Sequence, residues 1–171
     1  ELALQLLTAT AQTVNSWAHM IEVGATATME AWSREEKPNL SWSHPWATSP
    51  LSAVVFGIFG IEPLLPAFQT FRCKPQPGSL TSASITVPTI KGAIVASFNV
   101  TVNVSTVFTL HISPPPNTMA TVCLPKLNQS GNELLLDGKL VDGYSLRDYI
   151  CIDNIGSSYT SREIIRKEFK R

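Results

Sequence analysis

The feature that most constrains the fold is a change of hydrophobic pattern near residue 68. From Phe68 onward, short runs rich in Val, Ile, Thr and Phe recur at intervals of roughly ten to fifteen residues. Pro and Gly separate these runs, which are FQTFRCKP, SASITVP, GAIVASFNVTV, VFTLHIS, MATVCLP, ELLLDGKLV and YICIDNI. This spacing is typical of an antiparallel sandwich. The sequence therefore predicts a jelly-roll-like β-sandwich over residues 67–160.

Three of the later segments carry more specific predictions. In VFTLHIS, alternation along a strand separates Phe108, Leu110 and Ile112 from the face that carries His111, so His111 is expected at the surface. Asp-Gly within LLLDGKLV predicts a tight hairpin. Residues 161–171, SREIIRKEFKR, fit either a short helix with basic residues toward its end or a frayed tail.

The first 62 residues have helical periodicity instead. Apolar side chains recur at helical spacing in two groups, which are Leu2, Leu6 and Ala9, and then Trp17, Met20 and Ile21. Ser49 and Pro50 predict the N-cap and first position of a third, buried helix that continues through Ile61. The fold class is therefore predicted to be α+β, with a helical part at 1–66 that precedes the sandwich.

Composition excludes two classes of partner. Thirteen basic and thirteen acidic residues among 171 leave a net charge of +0, so no electrostatic footprint for nucleic acid or an anionic membrane is present. The longest apolar run, Ala53 to Ile61, is about half the length that a bilayer span requires. We therefore expect neither nucleic acid nor a membrane as a partner.

The three cysteines and four glycosylation sequons leave the cellular compartment open. Cys73, Cys123 and Cys151 are an odd number and too far apart for a metal clip, so we expect buried thiols. The sequons begin at Asn39, Asn99, Asn103 and Asn128 and would suit a secreted glycoprotein, although such triplets also arise by chance. The chain begins at Glu1 without a visible signal peptide, and we expect it to be a piece of a longer protein.

The segment from Gly24 to Trp46 has an unusual concentration of functional groups. GATATMEAWSREEKPNLSWSHPW contains three of the four tryptophans, acidic side chains and a His, and its prolines predict a long loop. Aromatic rings that stack on sugars, beside carboxyl groups, are the chemistry of a glycosidase cleft. A structural alternative remains open, in which the tryptophans anchor a core, Glu35-Glu36-Lys37 is a solvated turn and His44 is structural.

The order and spacing of five motifs resemble the C-terminal part of the bacterial-type α-L-rhamnosidases. These motifs are Gly-Ala-Thr-x-x-x-Glu-x-Trp at 24–32, Ser-His-x-Trp within 42–46, GIEPLLPAF at 60–68, KPQPGSL at 74–80 and VPTIKG at 87–92. The resemblance extends over residues 1–125 and is looser from 126 to 171. It implies the last helices of an (α/α)6 catalytic barrel followed by a C-terminal β-sandwich.

The same resemblance implies an inverting hydrolase of terminal α-L-rhamnose and assigns roles to individual residues. Glu30 matches the catalytic base, His44 matches a residue that bonds sugar hydroxyls, and Trp32 would line the pocket. Trp42 and Trp46 are further candidates for substrate binding. The general acid of the family lies in an earlier barrel segment, so the 171 residues alone are expected to be inactive.

Several departures from the family pattern affect the shape of the expected pocket rather than its chemistry. Ala27, Met29 and Ser43 stand where many members have Thr, an aromatic residue and Asn, and Ala67 stands where a turn glycine is usual. No cofactor and no metal are expected, because no His, Cys and carboxylate cluster has ligand spacing. The expected partners are a rhamnose-containing carbohydrate and the remainder of the barrel.

A second reading of the same features is a non-catalytic carbohydrate-binding or structural β-sandwich module. One carboxylate cannot perform the two-group chemistry of an inverting glycosidase. Helices taken from a barrel would also expose a wide apolar face, which suits packing against a partner.

Overall fold

The computed structural model describes residues 2–10, 16–103, 106–126, 132–157 and 161–168. These residues divide into two compact units, one from Glu1 to Val54 and the other from Val55 to Arg171. The division falls earlier than the expected boundary after residue 66, because the segment that follows Val54 belongs to the sandwich. Strand β1, Ile61–Pro63, pairs with β2, Thr70–Cys73, before residue 66 is reached.

The helices of the first unit are short. They are α1 at Leu2–Thr8, α2 at Trp17–Glu22, a 3-10 turn at Pro45–Ala47 and α3 at Ser49–Ser52. Ser16 caps α2, since its hydroxyl accepts a hydrogen bond from the backbone N–H of His19 at 3.2 Å. Among the described residues these elements do not form recognisable barrel hairpins, so the expected barrel helices are not evident.

The third predicted helix is present only in part. Thr48, rather than Ser49, precedes α3, and after Ser52 the chain changes to a π-helical turn at Ala53–Ile58. Two successive β-branched residues, Val54 and Val55, followed by Gly57, disfavour regular α-helix here. The prediction of a buried helix through Ile61 was therefore wrong, and Phe56 is 47% exposed.

The second unit is a β-sandwich of two sheets, as the sequence predicted. The strands that complete it after β1 and β2 are β3 at Ser82–Thr89, β4 at Gly92–Val102, β5 at Thr106–Ser113, β6 at Met119–Pro125, β7 at Asn132–Leu136, β8 at Lys139–Leu140, β9 at Tyr144–Leu146, β10 at Tyr149–Gly156 and β11 at Arg162–Glu168. One sheet has the order β1-β2-β6-β10-β9 and the other β3-β4-β5-β11-β7-β8.

Alternating burial along the strands produces the core of the sandwich. In β5, Phe108, Leu110 and Ile112 are at most 1% exposed, whereas the side chain of His111 is 45% exposed. The prediction that His111 lies at the surface is thereby confirmed. Aromatic side chains continue this core, and the rings of Phe98 and Phe108 stack with centroids 5.6 Å apart.

The five-stranded sheet is mixed rather than purely antiparallel. Strand β6 runs parallel to β2, with Thr70 opposite Met119 and Cys73 opposite Val122. Between these strands the chain crosses to the other sheet for β3, β4 and β5 and then returns. A crossover of this length permits a parallel pair, which a short hairpin does not. The expectation of an entirely antiparallel sandwich was therefore wrong for this pair.

The hairpin predicted from Asp-Gly is confirmed. Strands β7 and β8 pair around Asp137 and Gly138, whose φ angles are 50° and 76°. Positive φ at both central residues is the requirement of a type I′ turn, which matches the right-handed twist of the strands. The Asp137 carboxylate also accepts a hydrogen bond from the Glu163 N–H at 2.9 Å.

The segment at 161–171 is neither a helix nor a frayed tail over its described part. Arg162–Glu168 forms β11, a central strand between β5 and β7. Residues 169–171 lie outside the described residues. Burial alternates along the strand, since Ile164 is 0% and Arg166 2% exposed. The period of two in REIIRKE is that of a strand, and Arg166 and Lys167, two of the basic residues that suggested a helix end, occupy strand positions instead.

We expect Ile164→Ala to lower the free energy of unfolding by about 2–5 kcal/mol, because it leaves a cavity in the core between two neighbouring strands. Chemical denaturation of the variant and the wild type measures the difference. Ile90→Ala is the matched control, since Ile90 is 85% exposed in the turn after β3. Equal effects of the two substitutions would show that β11 is not part of the core.

The cysteines differ from the expectation of three buried thiols. Cys123 on β6 and Cys151 on β10 lie directly opposite each other and form a disulfide. The pair was missed because 28 residues separate the cysteines in sequence and only the pairing of their strands brings them together. Cys73 remains a buried thiol, and burial raises its pKa to about 12. It is therefore protonated at neutral pH and a poor nucleophile.

Candidate functional site

A small core holds the segment from Gly24 to Trp46 in place. Met20, Met29 and Leu40 are at most 7% exposed and pack together, with Trp17 and Trp32 partly buried against them. The residue that follows each of these three buried residues in the chain is more exposed to solvent. Glu30 follows Met29 and has a side chain that is 26% exposed.

Two stretches of this segment run beside each other. The N–H of Glu30 donates to the carbonyl of Ser41 at 2.9 Å, and the N–H of His44 donates to the carbonyl of Thr28 at 2.7 Å. The Thr28 hydroxyl returns a hydrogen bond to the His44 carbonyl at 2.6 Å. Pairing of 28–30 with 41–44 thus brings Glu30 and His44 close together, although fourteen positions separate them in sequence.

The Glu30 carboxylate has two partners within the segment. Lys37 Nζ donates to Oε1 in an ion pair, and the Ser41 N–H donates to Oε2 at 2.9 Å. The hydrogen bonds from Lys37 and Ser41 lower the pKa of Glu30, burial opposes them to a smaller extent, and the charges of Lys37 and His44 add to the lowering. Glu30 is therefore ionised at neutral pH.

This protonation state distinguishes two chemical roles. A general base must be ionised before it can accept a proton from water, whereas a general acid must carry a proton, which requires a raised pKa. The surroundings of Glu30 favour the first role. This protonation state agrees with the role of general base that the family motif predicts for Glu30, and that role remains a prediction.

His44 lies beside an exposed aromatic ring. The rings of His44 and Trp46 meet edge to face with centroids 5.5 Å apart, and Trp46 is 88% exposed. Pro45 begins the 3-10 turn that places Trp46 here, since its fixed φ suits the first position of a helical turn. An exposed ring next to a hydrogen-bonding imidazole is suited to binding a sugar.

Trp32 and Trp42 have different surroundings. The Trp32 ring packs edge to face against Trp17 at 5.3 Å and belongs to the small core, as the structural alternative expected. Arg34 lies over the Trp42 ring at 5.5 Å, and Trp42 is 36% exposed. Of the three tryptophans predicted to bind substrate, Trp46 is the one whose ring contacts another predicted site residue.

Lys37 and Ser41 are the residues that sequence reasoning missed. The structural alternative places Lys37 in a solvated turn, whereas its ammonium group pairs with Glu30, seven positions earlier in the chain. Ser41 acts through its backbone N–H, which no side-chain motif can reveal. Glu36 is also engaged, since its carboxylate accepts a hydrogen bond from the Trp32 N–H at 3.3 Å.

Three further features of the described residues bear on other kinds of site. Within the described ranges, no group of three or more His, Cys, Asp or Glu side chains could hold a metal ion. None of the helices described is both long and apolar enough to cross a membrane. A cavity of about 710 Å³ in the sandwich is lined by apolar residues such as Leu64, Phe68 and Ile90 and by none of the predicted site residues.

Comparison with known proteins supports the resemblance that the motifs indicate. Residues 60–134 match the family model described as the bacterial alpha-L-rhamnosidase C-terminal domain. The resemblance to the α-L-rhamnosidases is confirmed. The match begins at Gly60, just before β1, and covers most of the sandwich, whereas the Glu30 segment lies outside it. Among curated proteins, none matches the chain.

Solved structures extend the likeness to most of the chain. The α-L-rhamnosidase from Dictyoglumus thermophilum is 25% identical with a TM-score of 0.74, over 94% of this chain and 18% of that one. The Streptomyces avermitilis α-L-rhamnosidase complexed with L-rhamnose is 22% identical with a TM-score of 0.69, over 94% and 15%. The Aspergillus terreus α-L-rhamnosidase is 24% identical with a TM-score of 0.53, over 89% and 17%.

These α-L-rhamnosidases are far longer than the chain described here. The chain spans between 15% and 18% of their length, so it corresponds in fold to one part of each. At 22% and 24% identity, the second and third structures show the fold alone. The sandwich therefore resembles the C-terminal domain of the bacterial α-L-rhamnosidases, and the short segment that contains Glu30 precedes it.

Proposed function

We propose that this chain is the C-terminal part of an inverting glycoside hydrolase that removes terminal α-L-rhamnose, and that Glu30 is its general base. The observation that carries the proposal is the position of an ionised, partly exposed carboxylate beside His44, next to the exposed ring of Trp46. These groups are the base, the hydroxyl ligand and the stacking surface that a glycosidase requires.

In this proposal Glu30 removes a proton from a water molecule as that water attacks the anomeric carbon. The bond from that carbon to the leaving oxygen breaks, and a carboxylic acid elsewhere in the parent protein protonates the oxygen. In inverting enzymes the two carboxyl groups stand about 6.5–9.5 Å apart, which leaves room for the water. In this proposal the short helices α1, α2 and α3 belong to the end of an (α/α)6 barrel. The rest of that barrel contributes the other wall of the substrate cleft.

Assay of the parent protein tests this proposal. We expect it to release rhamnose from an aryl α-L-rhamnoside and to leave the matching aryl α-D-glucoside intact. Proton NMR during the first turnovers should show the β anomer of rhamnose, because a single displacement inverts the configuration. Release of the α anomer first, or failure to release rhamnose, would overturn the proposal.

Lys37 provides a prediction about pH. We expect Lys37→Gln to move the acidic limb of the kcat/KM profile of the parent protein to higher pH. The reason is that Lys37 is the largest cause of the lowered Glu30 pKa, so its loss lets Glu30 take up a proton at a higher pH. Lys37→Arg keeps the positive charge and should leave the limb nearly in place. A limb that does not move in Lys37→Gln would exclude Glu30 as the group that titrates.

The second candidate function is a non-catalytic carbohydrate-binding or structural module. A specific observation favours it, since both oxygens of Glu30 are engaged within the segment, by Lys37 and by the Ser41 N–H. Such an arrangement also serves to hold a loop together. If the protein is such a module, Glu30→Gln would loosen the loop and weaken glycan binding. The unmodified parent protein would then already show no hydrolysis of rhamnosides.

A further inference from the structure

We propose that Asn99 is the attachment site of an N-linked glycan and that the chain folds in an oxidising secretory compartment. The sequon Asn-Val-Thr at 99–101 lies on β4, where side chains alternate between the core and the surface. Phe98 is 3% exposed, whereas Asn99 on the opposite face is exposed. The hydroxyl of Thr101 donates to Asn99 Oδ1 at 3.1 Å, so the two side chains that a sequon requires lie together.

The surroundings of Asn99 leave space for a bulky substituent. Its neighbours across the sheet are Ser82 on β3 and Thr109 on β5, which both have short hydroxyl side chains. Strands β3 and β4 contain no charged residue. Their outward face thus presents hydroxyl groups, the Asn99 amide and the side chain of Val95, which is 45% exposed.

An uncharged face beside an exposed sheet edge favours association with other protein chains unless something prevents it. Strand β3 is the edge of its sheet, and exposed edges are usually protected by charged side chains, Pro or a covering element. Pro88 near the end of β3 is such a feature, but the rest of the strand has no charge. A hydrated glycan on the adjacent strand would cover this face and keep the edge soluble.

The disulfide is an independent observation that points to the same compartment. Cys123 and Cys151 are fully buried and bonded to each other across β6 and β10. Disulfides persist in the oxidising environments of secreted proteins and are rare in the cytosol, where thiols are kept reduced. N-linked glycosylation of Asn-x-Ser/Thr belongs to the same secretory route.

Asn99 differs in its surroundings from Asn39, which also begins an exposed sequon. Asn39 lies between Lys37 and Ser41, whose groups hold the Glu30 carboxylate, so a glycan there would crowd the candidate site. Asn99 belongs to the sandwich, and its sequon lies wholly within the described residues. The sequons that begin at Asn103 and Asn128 include residues outside the described ranges, so the structural argument concerns Asn99.

The modification is a transfer of an oligosaccharide from a lipid-linked diphosphate donor. A bond forms between Nδ2 of Asn99 and the anomeric carbon of N-acetylglucosamine. The bond from that carbon to the diphosphate oxygen breaks, the diphosphate leaves with the bonding electrons, and the amide loses one proton. The donor and the transferase belong to the secretory compartment, and this chain supplies the acceptor.

Mass spectrometry of the protein purified from its natural source tests the proposal. Peptide N-glycosidase F in ¹⁸O-labelled water converts a glycosylated Asn to labelled Asp, and we expect the label at Asn99. Without reduction, the peptides that contain Cys123 and Cys151 should be found linked. Unlabelled Asn99, a label at Asn39 in its place, or free thiols at Cys123 and Cys151 would overturn the proposal.

Variants secreted from a eukaryotic host provide the matched comparison. Asn99→Gln and Thr101→Ala should each lose the mass of one glycan, whereas Thr101→Ser should keep it because the hydroxyl remains. Loss in Asn99→Gln but retention in Thr101→Ala would contradict recognition of this sequon. Neither test depends on hydrolytic activity, so this inference and the proposed function can fail separately.

Discussion

Glu30→Gln in the parent protein is expected to reduce kcat for an aryl α-L-rhamnoside by about 10²–10⁴-fold, the usual contribution of general acid–base catalysis. The amide retains the shape of the side chain and can still accept the hydrogen bond from the Ser41 N–H, but it cannot take a proton from water. Since a general base would act on water rather than on the bound sugar, KM should change much less than kcat. Steady-state kinetics of the variant and wild type give both values.

Two comparisons separate loss of a base from loss of structure. Glu35→Gln makes the same chemical change at an exposed position of the same loop and should leave kcat within a few-fold of wild type. Azide needs no deprotonation, so it should restore turnover of an activated aryl rhamnoside by Glu30→Ala and yield the glycosyl azide. If Glu30→Gln retains most of its activity, Glu30 is not the base.

Removal of the disulfide is expected to have the largest effect on stability. The double variant Cys123→Ala with Cys151→Ala should lose about 3–4 kcal/mol of unfolding free energy, given that 28 residues separate the two cysteines. The bond restricts the conformations that are open to the unfolded chain, and it joins β6 to β10 within the mixed sheet. Urea denaturation of the double variant and the oxidised wild type measures the change.

A reductant supplies the control for this stability measurement. It should destabilise the wild type toward the level of the double variant and leave the double variant unchanged. Thiol titration in denaturant should find one reactive thiol, that of Cys73, before reduction and three afterwards. Three thiols without reduction, or a wild type whose stability does not respond to reductant, would contradict the bond.

Much of the sandwich could be predicted because strand periodicity is a local property. The alternation in VFTLHIS and the Asp-Gly turn each determine their structure within a few residues, and both predictions are confirmed. Strand β11 was missed because charged residues at both ends of Ile164-Ile165 resemble the end of a helix, and only pairing with β5 and β7 decides between them. Parallel pairing of β2 with β6 likewise depends on contacts between distant parts of the sequence.

The candidate site was predictable only in its motif residues. Glu30 and His44 were identified by resemblance to the α-L-rhamnosidases, and the structure places them together. Lys37 could not be found this way, because its ion pair with Glu30 depends on the path of an irregular loop. The tryptophans carried no signal that separates a packed ring such as Trp32 from the exposed ring of Trp46.

Side-by-side assay of the 171-residue chain and its parent protein tests the central claim most directly. Rhamnose release from an aryl α-L-rhamnoside is measured for both at equal molar concentration. If the base lies here and the acid lies elsewhere in the parent, the parent should turn over and the 171-residue chain should remain at the rate of the uncatalysed reaction. Turnover by the chain alone at the rate of the parent would contradict a catalytic site divided in this way.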